Sequence, residues 1–128
     1  MAFSNYLSNE ILDHVFSGNA FTAPSNYYVA LYTVSPTASG GGTEVSASGT
    51  GYVRKTATFT TSATQSTNQS AIEFPTATAS YGNVVAAAVL DASSGGNLLA
   101  FANLTAAKTI GIGDVLRIPA NDLDINLA

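Results

Sequence analysis

The chain has 128 residues, 46% of them apolar, with four Lys or Arg against eight Asp or Glu, one His, no Cys and no Trp. That apolar content suffices for a packed core in one domain of ordinary size and excludes global disorder. A net charge of −4 excludes a phosphate-tracking surface for nucleic acid or an anionic membrane, the lack of Cys excludes a disulfide framework, and so few titratable groups leave little to gather into a catalytic cleft.

The first predicted element is a helix. Ser4 is its N-cap, and Leu7, Ile11, Leu12, Val15 and Phe16 fall within half the circumference at about 100° per residue. Asn9, Glu10 and Asp13 take the opposite side, and Gly18 is the stop. A helix of about a dozen residues is marginal alone in water, so its apolar stripe must dock on this domain's own sheet or on a neighbouring chain. Residues 1–20 therefore read as a helical arm and 21–128 as one β domain. Glu10 and Asp13 stand where a secretory signal needs a basic start and an apolar stretch, so no export by that route is expected. The longest apolar run, Val84–Leu90, is seven residues, against the ~20 of a membrane-spanning helix.

The β signals follow in order. Tyr27–Val34 is rich in aromatic and β-branched residues and stops at Ser35-Pro36. A Gly-rich loop, 37–50, leads to a strand over 52–60, with Val53, Ala57 and Phe59 on one face and Arg54, Thr56 and Thr58 on the other. The polar, low-complexity stretch 62–70 reads as a mobile loop. Ile72 and Phe74 make a short strand ended by Pro75. The clearest hairpin joins 83–90 to 97–104 through Asp91-Ala-Ser-Ser-Gly-Gly96. Both its arms are apolar at nearly every position, as in strands covered on two faces, with another chain as one possible cover. Leu116 and Ile118 share a face before Pro119, and Leu123, Ile125 and Leu127 alternate with Asp122, Asp124 and Asn126. Seven or eight short strands between Gly, Pro, Ser and Asn turns predict an all-β fold: an antiparallel sandwich or jelly-roll-like body with a short N-terminal amphipathic helix. No period of ~20–50 residues marks a repeating shaft.

Each candidate for chemistry has a plainer reading. Asp122, Asp124 and Asn126 mimic the opening of a calcium loop, but Leu127 stands where its Gly is due, so a solvated strand face is expected. His14 pairs with Glu10 across one helical turn, with no second His or Cys to make a metal site. Gly111-Ile-Gly113-Asp114 completes no phosphate-loop pattern and reads as a turn. Asn68-Gln-Ser70 and Asn103-Leu-Thr105 match the glycosylation acceptor pattern by chance. Tyr27, Tyr28, Tyr32, Tyr52 and Tyr81 could form a sugar-stacking platform, as in carbohydrate-binding modules, but the lack of Trp favours tyrosines at core edges. No catalytic, cofactor-binding or metal-binding residue is assigned, and no cofactor or small-molecule substrate is expected.

The opening Asn5-Tyr-Leu-Ser-Asn-Glu-Ile-Leu-Asp-His-Val-Phe-Ser-Gly18 resembles the start of a family of small tailed-phage virion proteins. The resemblance continues through Tyr28-Val-Ala-Leu-Tyr32, the Gly-Gly-Thr-Glu-Val loop at 41–45, Gly51-Tyr-Val-Arg54, Ile72-Glu-Phe-Pro-Thr-Ala77, Gly95-Gly-Asn-Leu-Leu-Ala100, and Gly113-Asp with Asp122-Leu-Asp-Ile125. Such proteins are often labelled tail fibre proteins and are similar to capsid decoration, or cement, proteins. The resemblance implies a non-enzymatic virion protein, assembled in the host bacterial cytoplasm. Capsid decoration is the expected role, since a compact, repeat-free body suits a shell site better than a fibre shaft; a tail fibre or tail-tip component is the alternative. The expected partners are the major capsid protein and further copies of the chain, as a homotrimer by analogy with threefold lattice sites. The residues expected to touch a partner are Leu7, Ile11, Leu12, Val15 and Phe16.

Overall fold

The computed structural model describes residues 1–127. In chain order the elements are β1 (Ala2–Phe3), α1 (Asn5–Phe16), β2 (Tyr27–Val34), β3 (Thr43–Glu44), β4 (Lys55–Ala57), β5 (Phe59–Ser62), β6 (Gln65–Asn68), β7 (Ile72–Glu73), β8 (Gly82–Leu90), β9 (Leu98–Ile110), β10 (Arg117–Ile118) and β11 (Asp124–Asn126). The expected handful of strands is thus finer-grained, because several are two- or three-residue pairings that leave no period in a sequence.

The main sheet runs β1-β9-β8-β2, with β3 and β4 sharing the far edge of β2: β4 lies along Tyr27–Val29 and β3 along Tyr32–Val34. Every pairing is antiparallel, and two smaller sheets, β10-β7 and β11-β6-β5, complete a sandwich-like body. Strand alternation does the sorting. Val29, Leu31, Ala87, Val89 and Leu99 turn inward, onto Ile72, Phe74, Leu116, Ile118 and Leu123. Ala30, Tyr32, Ala86, Ala88 and Leu90 turn outward, yet they too are buried. The two-faced apolar hairpin is therefore real, and the chain itself supplies the second cover: Val85, Leu98 and Phe101 pack around an alanine floor. β9 outruns its predicted end. The register jumps from Val84↔Lys108 to Ala86↔Asn103, so 104–107 bulge and the ladder resumes to Ile110.

Two expectations are corrected. Residues 62–70 form no mobile loop: β5 and β6 make a hairpin around Ala63, at φ 54°, and β6 is the centre of a three-stranded sheet. Cross-strand Thr60–Thr67 and Thr61–Ser66 pairs hold it, a polar pairing that low-complexity composition disguises. Residues 52–60 are not one strand with Val53, Ala57 and Phe59 on one face: the strands are β4 and β5, and Ala57 and Phe59 pack on the core without Val53. Tyr52 is buried instead, stacked on Phe74 at 6.2 Å and edge-on to Tyr81 at 5.7 Å, and Val53 is exposed. At Gly42 (φ 75°) the chain turns so tightly that a Cβ would lie 2.6 Å from the Val34 carbonyl oxygen.

Candidate functional site

The helix is anchored at one end only. Ser4 is buried; its hydroxyl donates to the Leu98 carbonyl and accepts from the Leu7 N–H at 3.1 Å, while its own N–H donates to the Leu99 carbonyl at 2.9 Å. Leu7 packs on the core and Ile11 is half-buried. Beyond them the helix leaves the body, with Leu12 56% exposed, Val15 61% and Phe16 80%. The last turn carries its own cap: the N–H groups of Ser17 and Asn19 donate to the Asp13 carbonyl, and Asn19 Nδ2 donates to both Asp13 carboxylate oxygens at 2.9 and 3.0 Å. His14 joins this cap, donating from Nδ1 to the Asn19 carbonyl at 3.0 Å, rather than pairing with Glu10. No helix among the described residues is long and apolar enough to cross a membrane.

On the outer face of the main sheet, three segments border an open hollow of about 440 Å³. The first is 4–6, at the root of the helix. The second is the 38–41 turn, closed by mutual Thr37–Gly40 backbone bonds at 2.9 Å and tied to the helix by Asn5 N–H donating to the Ala38 carbonyl at 2.8 Å. The third is 95–98. Arg54 fixes it, donating from Nη1 to the carbonyls of Ala92 and Gly95 at 2.8 and 2.9 Å. The other edge of that guanidinium grips Glu44 in a fork, Nε to Oε2 at 2.9 Å and Nη2 to Oε1 at 2.8 Å. Tyr52 donates its hydroxyl to Glu44 Oε2 at 2.7 Å and accepts from Leu31 N–H at 3.0 Å. Burial raises the Glu44 pKa, but the hydrogen bonds from Arg54 and Tyr52 outweigh it and hold the carboxyl below its usual range. Those bonds raise Arg54, and burial with the same carboxylate pushes the Tyr52 hydroxyl well up. Tyr32 lies at the base of the hollow, 7% exposed, its hydroxyl without a hydrogen-bond partner among the described residues.

The tyrosines proposed for a platform separate. Tyr52 and Tyr81 are core residues, Tyr27 meets Phe59 edge-on at 5.9 Å, and Tyr28 and Tyr32 lie on the outer face. Tyr6, absent from that set, joins Tyr32 at the hollow. Asn68, one of the acceptor-pattern asparagines, is fully buried with both amide hydrogens bonded to carbonyls, which leaves no place for a glycan. Asp122 and Asn126 are exposed and Asp124 half-buried.

An anchored, self-capped helix on a rigid antiparallel sandwich defines a small structural protein that presents surfaces. A family model described as podophage GP4 fiber I protein gp80 matches residues 2–126. The chain belongs to this family and is a phage virion structural protein of the fibre class. No curated protein matches the sequence.

Proposed function

We propose that the chain is a fibre component that attaches to a neighbouring virion protein through the tip of α1, with Leu12, Val15 and Phe16 as the contact. One observation carries this reading: three large apolar side chains are held out in water on a helix whose root is fixed and whose end is capped. Clustered exposed apolar groups of this kind mark interaction sites, and a pre-ordered helix loses little entropy on docking. Leu7 packs on the core and Ile11 is half-buried, so in this reading the contact centres on the outer half of the stripe.

Capsid decoration is the second reading, favoured by the compact body without a repeat, with the same tip engaging the major capsid protein and further copies assembling about a threefold axis. Immunogold labelling of intact particles separates the two. Label at the tail supports the fibre reading, and label spread over the head supports decoration. In either case a Val15→Asp/Phe16→Asp double variant should fold and fail to join particles; normal incorporation refutes attachment through the tip.

A further inference from the structure

The hollow on the outer face has no part in attachment through the helix tip. We infer that it is a binding site for one neutral sugar residue, seated over Tyr32 and beside Tyr6 between the 38–41 and 95–98 turns. The inference stands apart from the placement of the protein in the virion, and either can fail alone.

Three observations converge. The walls are tied to one another by the chain's own bonds: Arg54 to Ala92 and Gly95, Asn5 to Ala38, and Ser4 to Leu98 and Leu99. At about 440 Å³ the space lies within the range of small-ligand sites and takes one pyranose ring with a few waters. The free hydrogen-bonding groups are of both kinds. Asn5 Nδ2 and Asn97 Nδ2 each donate one hydrogen, to Ser39 and to Asp91, which leaves their second hydrogens and the Ser39 and Tyr32 hydroxyls as donors and Asn5 Oδ1 and Asn97 Oδ1 as acceptors. Vicinal hydroxyls, each donor and acceptor at once, meet such a set.

Charge decides between neutral and anionic sugars. Arg54, the cation at the hollow, is committed to Glu44 and to two carbonyls. Desolvation, and after it the carboxylates of Glu10 and Asp91, raise the hydroxyl pKa of Tyr6, so the nearby fixed charge at that side is negative. A uronate or sialate would enter a negative field with no free cation to meet it.

The test is a ¹H–¹⁵N titration of the full chain with glucose, galactose, mannose and N-acetylglucosamine, each also as its methyl glycoside, and with glucuronate. At least one neutral probe should shift the amides of Asn5, Tyr6, Ser39, Gly40 and Gly95 to Asn97, with a dissociation constant on the order of a millimolar for a ligand of this size. Tyr32→Phe keeps the ring that packs on Leu90 and should weaken binding about tenfold. A methyl glycoside that binds as well as the reducing sugar assigns a residue within a glycan; preference for the reducing sugar assigns a free one. No shift with any neutral probe at about 50 mM, tens of times the expected constant, overturns the site. So do shifts confined elsewhere, binding of glucuronate alone, or full affinity in Tyr32→Phe.

Discussion

Asn68→Ala is the sharpest test of how the C-terminal segment is held. Asn68 is 0% exposed and uses every polar valence of its side chain. Nδ2 donates to the carbonyls of Ser70 and Pro119, both at 2.9 Å, and Oδ1 accepts from the N–H groups of Asp122 at 3.1 Å and Leu123 at 2.9 Å. Alanine removes all four bonds and leaves four backbone groups without these partners, one in a fully buried setting and three in partly buried ones. A stranded buried group costs ~1–3 kcal/mol, so the fully buried Leu123 N–H and partial losses at the others sum to ~3–5 kcal/mol. Domains of this size have a total stability of roughly 6–19 kcal/mol, so the loss is a large fraction of it. Urea unfolding followed by far-ultraviolet circular dichroism should show a midpoint well below that of the parent at unchanged slope, and melting should fall by roughly 10–20 °C. Asn68→Asp is the companion. It keeps the acceptors but sets a carboxylate against two carbonyls, which raises the folded-state pKa of the new group. Stability should therefore recover as pH falls and the protonated acid regains one donor. A loss below about 1 kcal/mol for Asn68→Ala, or a pH-independent deficit for Asn68→Asp, would refute the reasoning.

Glu44 has its folded pKa depressed below 4.5, so its contribution is present above that value and lost as pH falls through the folded pKa. Glu44→Gln should lower stability at neutral pH and flatten the decline below about 4.5, measured by thermal melts across acid buffers. Gly42→Ala should destabilise by roughly 2–4 kcal/mol, since it combines a positive φ with a Cβ driven into the Val34 and Pro36 backbone; chemical denaturation reads this directly. Asn19→Ala removes the side-chain cap on Asp13 without touching the apolar tip. It should fray the last helical turn, seen as faster amide exchange at Val15 and Phe16, and weaken particle incorporation while the β body melts as before.

What was legible in the sequence were the features with a period. The helix starts at the Ser4 cap and stops before Gly18 because cap chemistry and a 3.6-residue stripe are local signals. β2 and the β8–β9 hairpin were found because alternation and Gly-rich turns are local as well. The β5–β6 hairpin was missed for the converse reason. Its Thr, Ser and Gln side chains pair across strands, and the residue that fixes it, Asn68, gains its meaning from carbonyls and amides as far along the chain as Leu123. The same limit hid the hollow. Glu44 lies in the 41–45 segment, Tyr52 and Arg54 in 51–54, and Gly95 in 95–100, stretches that carried the family resemblance separately while nothing linear joined them.

Those stretches meet for a physical reason. Arg54 presents a planar fork, and its two edges serve different segments: one grips Glu44 in β3 and the other holds the 95–98 turn through two carbonyls. Lysine, a single point of charge, could not do both. One guanidinium thereby couples the edge of the main sheet to the β8–β9 hairpin, while Ser4 and Asn5 couple the helix root to the start of β9 and to the 38–41 turn. The result is a body whose loops are fixed to one another although few charges are available to fix them. On such a body the helix is held through its first turn, and its three exposed apolar side chains and the hollow belong to one bonded framework. If the tip attaches as proposed and the hollow holds a sugar as inferred, the fold itself sets the angle between the two, and a compact chain would present the sugar site at a defined orientation to the particle.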